Sequence, residues 1–329
     1  MTESPSSPVL EAKEVSPASG PRQNATRRYG DSLFGALLTG SAVCTLALVA
    51  LIAVELTHSS LLSLRAFGFH FLVGTTWDPV AGVFGAWPFL AGTLLSSAVA
   101  LAIAGPIGVG AALCLSELLR ARSSAPLRFL VELLAAVPSV VYGLWGIFVV
   151  IPLLQDYVEP FLVEHLGFIP FFNGAPYGVG ILAAGVVLSV MVLPTICSVS
   201  IDVLRAVPRD LREAGYALGA TRWEVLVKTV LPAAKAGIGG AFILALGRAL
   251  GETMAVTMVI GNRPEIPHTL LDPAHSMSSV LANEFAEASG DLYLSALAEI
   301  GLVLFVTTFV VNALARLLLP KAHGAGAHG

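Results

Sequence analysis

Four stretches of this chain, 32–54, 79–116, 133–155 and 166–201, contain no charged side chain. Each supplies the roughly 20 consecutive apolar residues that a helix needs to cross a bilayer. Two further stretches, 236–261 and 292–319, are nearly as apolar. The first of these holds Arg248 and Glu252; the second holds Glu299, Asn312 and Arg316. A hydrophobic fraction of 56% with only 12% charged residues, and a mean hydropathy of +0.82, lie far outside the range of water-soluble domains. The sequence therefore predicts an all-α polytopic membrane protein with six transmembrane helices.

The basic residues give an orientation, because Lys and Arg accumulate in cytoplasmic loops. Apart from Arg65, Arg248 and Arg263, all 18 Lys and Arg fall on the side that holds the N-terminus when the six spans alternate. Both termini are expected in the cytoplasm. Residues 1–32 are rich in Ser, Pro and Glu and lack an apolar period, which predicts a disordered cytoplasmic tail. Residues 33–320 form the transmembrane domain, and the Gly-rich 321–329 reads as a second, flexible tail. Cys44, Cys114 and Cys197 fall within spans and lack the close spacing of metal ligands, so no metal site is expected.

Arg248 and Glu252 are the charges that need explaining. A charge near the centre of a membrane helix costs roughly 2.5 to 3.5 kcal/mol on insertion scales, so intramembrane ionisable groups usually mark a substrate or ion path. On a continuous helix the i, i+4 spacing places both on one face, where Glu252 would neutralise Arg248 while no substrate is present. Arg suits an oxyanion: its planar fork donates paired hydrogen bonds and keeps its charge when desolvated. The competing reading is an ion pair that only holds the helix bundle together.

The longest cytoplasmic connection, 202–235, has the signals of two short helices. Pro208 opens the first, with Asp210 near its positive end and Gly219 as its C-terminal stop. Thr221 and Glu224 have capping-box spacing and start a second helix, with Trp223, Leu226, Val227 and Val230 on one face and Pro232 marking the approach to the membrane. Such a unit fits a docking role. A loop serving topology alone and a pair of helices on the lipid surface are the other readings. Its charge balance and its two membrane anchors argue against nucleic acid.

Glu213, Ala214 and Gly215, then Gly219, then Leu231 and Pro232 resemble the EAA loop of ABC-importer permeases, with Gly215 and Thr229 departing from the usual Ala and Ile. The segments GTTWDP from Gly74, PSVVYGLWG from Pro138, GRALGETMAVTMVIGN from Gly247 and SSVLANEFAEA from Ser278 are similar to the C-type permease subunit of phosphate-specific importers. This resemblance covers about 33–320. It implies the type I permease fold, the cytoplasmic (inner) membrane, and transport of inorganic phosphate. It also implies a heterodimer with an A-type permease, two B-type ATPase subunits, and an extracytoplasmic phosphate-binding protein. In that family the 202–235 loop meets the ATPase, and the Arg248 and Glu252 segment forms the polar path. A permease for molybdate or sulfate, or a membrane component of phosphate signalling, remains the alternative.

No catalytic centre is legible. A P-loop needs Gly-Lys followed by Ser or Thr, and none of Lys13, Lys228, Lys235 or Lys321 follows a glycine. ATP hydrolysis is therefore expected on another chain, and no cofactor is expected on this one.

Overall fold

The computed structural model describes residues 25–119 and 121–318. Six helices in it are long and apolar enough to span a membrane: Phe34–Ser59, Trp87–Leu118, Ser139–Leu166, Ile181–Ala206, Arg222–Leu250 and Asp291–Leu317. The all-α reading holds, with no strand among the described residues beyond isolated bridges.

Helix α1 (Ala25–Ser59) runs through the boundary between two compact units, Met1–Ile52 and Ala53–Gly329. It starts inside the segment whose composition predicts a tail: once the long apolar run downstream is helical, extending the helix backward costs little. The rest of the first predicted tail, 1–24, and the whole of the second, 321–329, lie outside the described residues, as do 319–320.

The larger unit is built on α3 (Trp87–Leu113) and α6 (Ile181–Ala206), which pack along each other. Helix α6 is the most buried of the six spans, with Ile181, Val187, Leu188, Met191, Ile196 and Leu204 all sealed from solvent. The fourth span is shorter than its charge-free run: residues 167–180 form an irregular connection, where Pro170, Gly174, Pro176, Gly178 and Gly180 prevent a helix. Buried Glu159 ties this connection down by accepting the Gly178 N–H at 2.8 Å.

Above the spans, Trp77 packs edge-on against Phe84 and Phe89, and its Nε1 donates to Glu284 Oε2 at 2.8 Å. Tyr293 donates to the same oxygen at 2.6 Å. The next residue, Asp78, accepts the N–H groups of Val80 and Ala81 in a local turn. The Trp-Asp-Pro motif is thus a folding element that seats the segment before α3. Glu299 sits buried in α12 (Asp291–Leu318), next to Ser63 of α2 (Leu61–Phe67).

Candidate functional site

Arg248 lies near the end of α9 (Leu231–Leu250), 13 residues beyond Lys235. At 1.5 Å per residue that is about 20 Å of rise, well inside a hydrocarbon layer about 30 Å thick. The side chain is exposed on the surface of the chain and, among the described residues, makes no hydrogen bond or ion pair. It lies within electrostatic reach of Tyr142, whose ring is buried.

Glu252 is not one turn above it on a continuous helix. The chain stops being helical after Leu250, and a new helix, α10 (Met254–Val259), starts beyond Thr253. Gly251, a weak helix former, occupies the C-cap. The Glu252 carboxylate turns to the second helix and accepts the Ala255 N–H at 3.2 Å, supplying an acceptor to one of the N–H groups that a helix start leaves open. Its backbone carbonyl accepts the Ser278 hydroxyl at 2.6 Å. The expected ion pair does not form: the helix break redirects Glu252 into capping, and Arg248 has no ion-pair partner among the described residues.

A second interruption faces the first. Helix α4 (Ala121–Ala135) ends before Pro138, and α5 (Ser139–Trp145) restarts behind it, with the Tyr142 hydroxyl donating to Leu134 O at 2.6 Å across the gap. Helix α10 packs directly on α5. Irregular backbone at membrane depth survives only where protein or a polar cavity satisfies it. Two such breaks packed together beside an unpaired Arg make a polar station inside the spans.

Helix α11 (Met277–Glu284) packs on α10 and on α3. Its N-cap Ser276 and Ser279 form a reciprocal capping box, and the Thr93 hydroxyl of α3 accepts the Met277 N–H at 2.9 Å. His275 lies just before it, edge-on to Phe89, with Nδ1 2.5 Å from Ser279 Oγ. Burial pushes the His275 imidazole down to about 4 from 6.5. Between those two pH values the unfolded chain binds a proton that the folded one refuses, so acidification through this window removes up to about 3 kcal/mol of stability. The melting temperature of the purified protein should fall less between pH 7 and pH 4.5 in His275→Gln than in the unaltered chain. Equal falls would contradict this assignment.

Between α6 and α9, α7 (Arg209–Ala217) and α8 (Arg222–Val225) form the two predicted helices. Gly219, at φ +81°, ends α7: its N–H bonds Tyr216 O, and the Ala220 N–H bonds Gly215 O, the paired pattern of a Schellman turn. The capping box between Thr221 and Glu224 forms as its spacing requires. A Cβ on Gly215 would come within 2.9 Å of Val225 Cγ2, so glycine in place of the usual alanine lets the two helices approach.

Pro232 does not divide the loop from the membrane. From α8 the chain passes through a widened π turn, Leu226–Val230, straight into α9. That turn absorbs the missing proline N–H and leaves one helical path from Arg222 to Arg248. Leu226 and Val230 are buried beneath it, whereas Trp223 and Val227, expected on the same face, are exposed together with Leu211, Tyr216 and Leu218. Glu213 and Ala214 are exposed, Gly215 and Leu231 half-buried, and Pro232 exposed. Beside Glu213 an open cleft of about 540 Å³ is lined by Ser116, Glu117, Arg205, Arg209 and Tyr216.

Residues 104–324, which hold both Arg248 and the whole 202–235 loop, match the family of binding-protein-dependent transport system inner membrane components. The chain belongs to that family, in its PstC branch. It is 44% identical over 316 residues to the phosphate transport system permease protein PstC of Mesorhizobium japonicum, covering 94% of this chain and 97% of that one. With the PstC of Haemophilus influenzae it shares 45% identity over 304 residues, covering 91% and 96%. A bacterial ABC transporter involved in the import of the acidic polysaccharide alginate shares the fold, at a TM-score of 0.54 and 15% identity over 89% of this chain and 100% of that one. The family and the six apolar helices together make this permease a multi-pass inner membrane protein.

Sequence reading located Arg248, Glu252 and the loop but missed the residues that hold them in place. Ser278, which fixes Glu252, and Arg212 and Glu117, which fix the loop, act through partners distant in the chain, and nothing in their local pattern signals this.

Proposed function

We propose that this permease forms one half of the transmembrane path of an ATP-driven importer of inorganic phosphate. Its partners in this reading are an A-type permease as the other half, two B-type ATPase subunits, and an extracytoplasmic phosphate-binding protein. The observation that carries the reading is Arg248: a full charge at membrane depth, on the surface of the chain, with no partner among the described residues. Facing lipid it would cost roughly 2.5 to 3.5 kcal/mol, so its face turns toward the other permease half and a polar path. Similarity to PstC proteins over nearly the whole chain supports phosphate as the oxyanion.

In this account Arg248 receives phosphate oxygens through its paired donors, and Glu252 shapes the adjoining helix break. The loop containing Glu213, Ala214, Gly215, Gly219, Leu231 and Pro232 meets the ATPase. Exposed Tyr216, Leu218 and Trp223, with the neighbouring cleft, supply the apolar and charged surface that such docking needs. Cells carrying all components should take up phosphate, and uptake should stop when the ATPase is replaced by a hydrolysis-deficient form. Uptake that persists would assign the chain to self-contained transport instead.

Both termini and the 202–235 loop are placed in the cytoplasm. A cysteine introduced at Arg222 should resist an impermeant thiol reagent in intact cells, while one at Glu265 should react. Labelling at 222 from outside would reverse the orientation.

A further inference from the structure

Arg212 lies on the inner side of α7, behind the exposed Glu213 and Tyr216. Its Nη1 donates to Val207 O at 2.6 Å, and its Nη2 donates to Leu204 O at 2.8 Å and to Glu117 Oε1 at 2.8 Å. Leu204 belongs to the last turn of α6, and Val207 lies just past it. The final carbonyls of a helix are poorly supplied with partners, and here one guanidinium donates both to Leu204 O, whose other donor is the long Val207 N–H at 3.4 Å, and to Val207 O just past the helix. Glu117 belongs to the π turn Cys114–Leu118 that continues α3. The same residue is held a second time, because Arg222 of α8 donates from Nη2 to Glu117 O at 2.9 Å.

Both helices of the loop thus converge on the cytoplasmic ends of α3 and α6, the two spans that pack along each other at the centre of the unit. Exposed ion pairs contribute little, but the Arg212 and Glu117 side chains are only 19% and 20% exposed, and a planar fork shared among three acceptors fixes direction as well as distance. The loop also joins the spans through the chain itself, at Val207 after α6 and at the π turn into α9, and through Val225, Leu226 and Val230, which pack with Leu115, Leu204 and Val207 in one buried apolar cluster that holds distance without fixing direction. The two Arg contacts are cross-braces.

We infer that Arg212 is a positioning residue for transport: it ties the loop to α3 and α6, so that displacement of the loop moves the central spans instead of bending the loop. Glu117 is its acceptor, and Arg222 is the second brace. This inference rests on the loop's being the ATPase contact.

The test uses the assembled importer with Arg212→Gln, Arg212→Lys and Glu117→Gln, measuring ATPase retained per permease, ATP hydrolysed, and phosphate moved per ATP. Arg212→Gln should retain the ATPase and hydrolyse ATP, while phosphate moved per ATP falls at least about tenfold, since Val207 O and Glu117 Oε1 lose this donor together and Leu204 O keeps only the long Val207 N–H bond of 3.4 Å. Arg212→Lys should recover only part of the loss, because an ammonium does not reproduce the fork. Glu117→Gln, which leaves both carbonyl bonds in place, should lose about threefold. A ratio unchanged in Arg212→Gln with the ATPase bound overturns the inference, as does a loss of assembled complex in which the remainder transports at the normal ratio. Failure of the docking reading appears elsewhere, as normal ATPase retention and normal uptake in Gly219→Val.

Discussion

Arg248→Gln is expected to lower phosphate uptake per assembled complex by at least about 100-fold, the effect of losing two hydrogen bonds of roughly 1.5 to 3 kcal/mol each to a charged group. Assembly should be close to normal, since Arg248 makes no hydrogen bond or ion pair to the described residues that its removal would leave unpaired. Arg248→Lys should recover little, because a point-like ammonium does not offer two parallel donors. Glu252→Gln retains an acceptor oxygen for the Ala255 N–H and should leave uptake within a few-fold of normal. Uptake and assembled complex, measured on the same membranes, check all three. A structural pair predicts the reverse pattern: single changes lower assembly, and Arg248→Met with Glu252→Leu restores both assembly and uptake.

Gly219→Val is expected to have the second largest effect. At φ +81° a β-branched side chain is strained by about 1 to 3 kcal/mol even though the space around Gly219 is open, so the cause is backbone conformation alone. Relief of that strain unwinds the Schellman turn and changes the angle between α7 and α8, which is the geometry an ATPase groove would read. Membrane insertion should be normal, because the spans are untouched. The ATPase recovered per permease after affinity purification should fall several-fold, and uptake with it. Recovery at the unaltered level with normal uptake would remove the loop from the coupling path. Glu213→Lys, which reverses an exposed charge beside the same cleft, should act in the same direction.

Much of the fold was legible in the sequence because its determinants are local. Six apolar runs, a glycine placed where a helix must stop, and the Thr221 and Glu224 spacing each encode their own structure within a few residues. The misreadings share one physical origin. Residues 236–261 look like one span because Gly251 and Thr253 are individually compatible with a membrane helix; the break becomes favourable only when the Glu252 carboxylate accepts the Ala255 N–H and the Ser278 hydroxyl donates to the Glu252 carbonyl. Pro232 looks like a boundary because a proline costs a helix its N–H, yet a π turn absorbs that cost in place. The charge-free run 166–201 exceeds its helix because the absence of charge does not make residues helical, and six Pro and Gly residues lie between 167 and 180.

The candidate site was legible as a list of charges but not as a geometry. Arg248 stood out by its setting, and the structure leaves it unpaired. Helical spacing pairs Glu252 with Arg248, and the break after Leu250 separates them. Arg212 gave no signal at all, because its acceptor Glu117 lies 95 positions earlier in the chain and becomes its neighbour only when α3 and α6 pack.

ATP hydrolysis by the complete importer, reconstituted with its binding protein and challenged in turn with phosphate, sulfate and molybdate, tests the proposed function most directly. Phosphate is predicted to stimulate hydrolysis several-fold and to drive uptake, with sulfate and molybdate leaving the basal rate unchanged. Stimulation by sulfate or molybdate equal to that by phosphate, or a rate indifferent to all three, would contradict it.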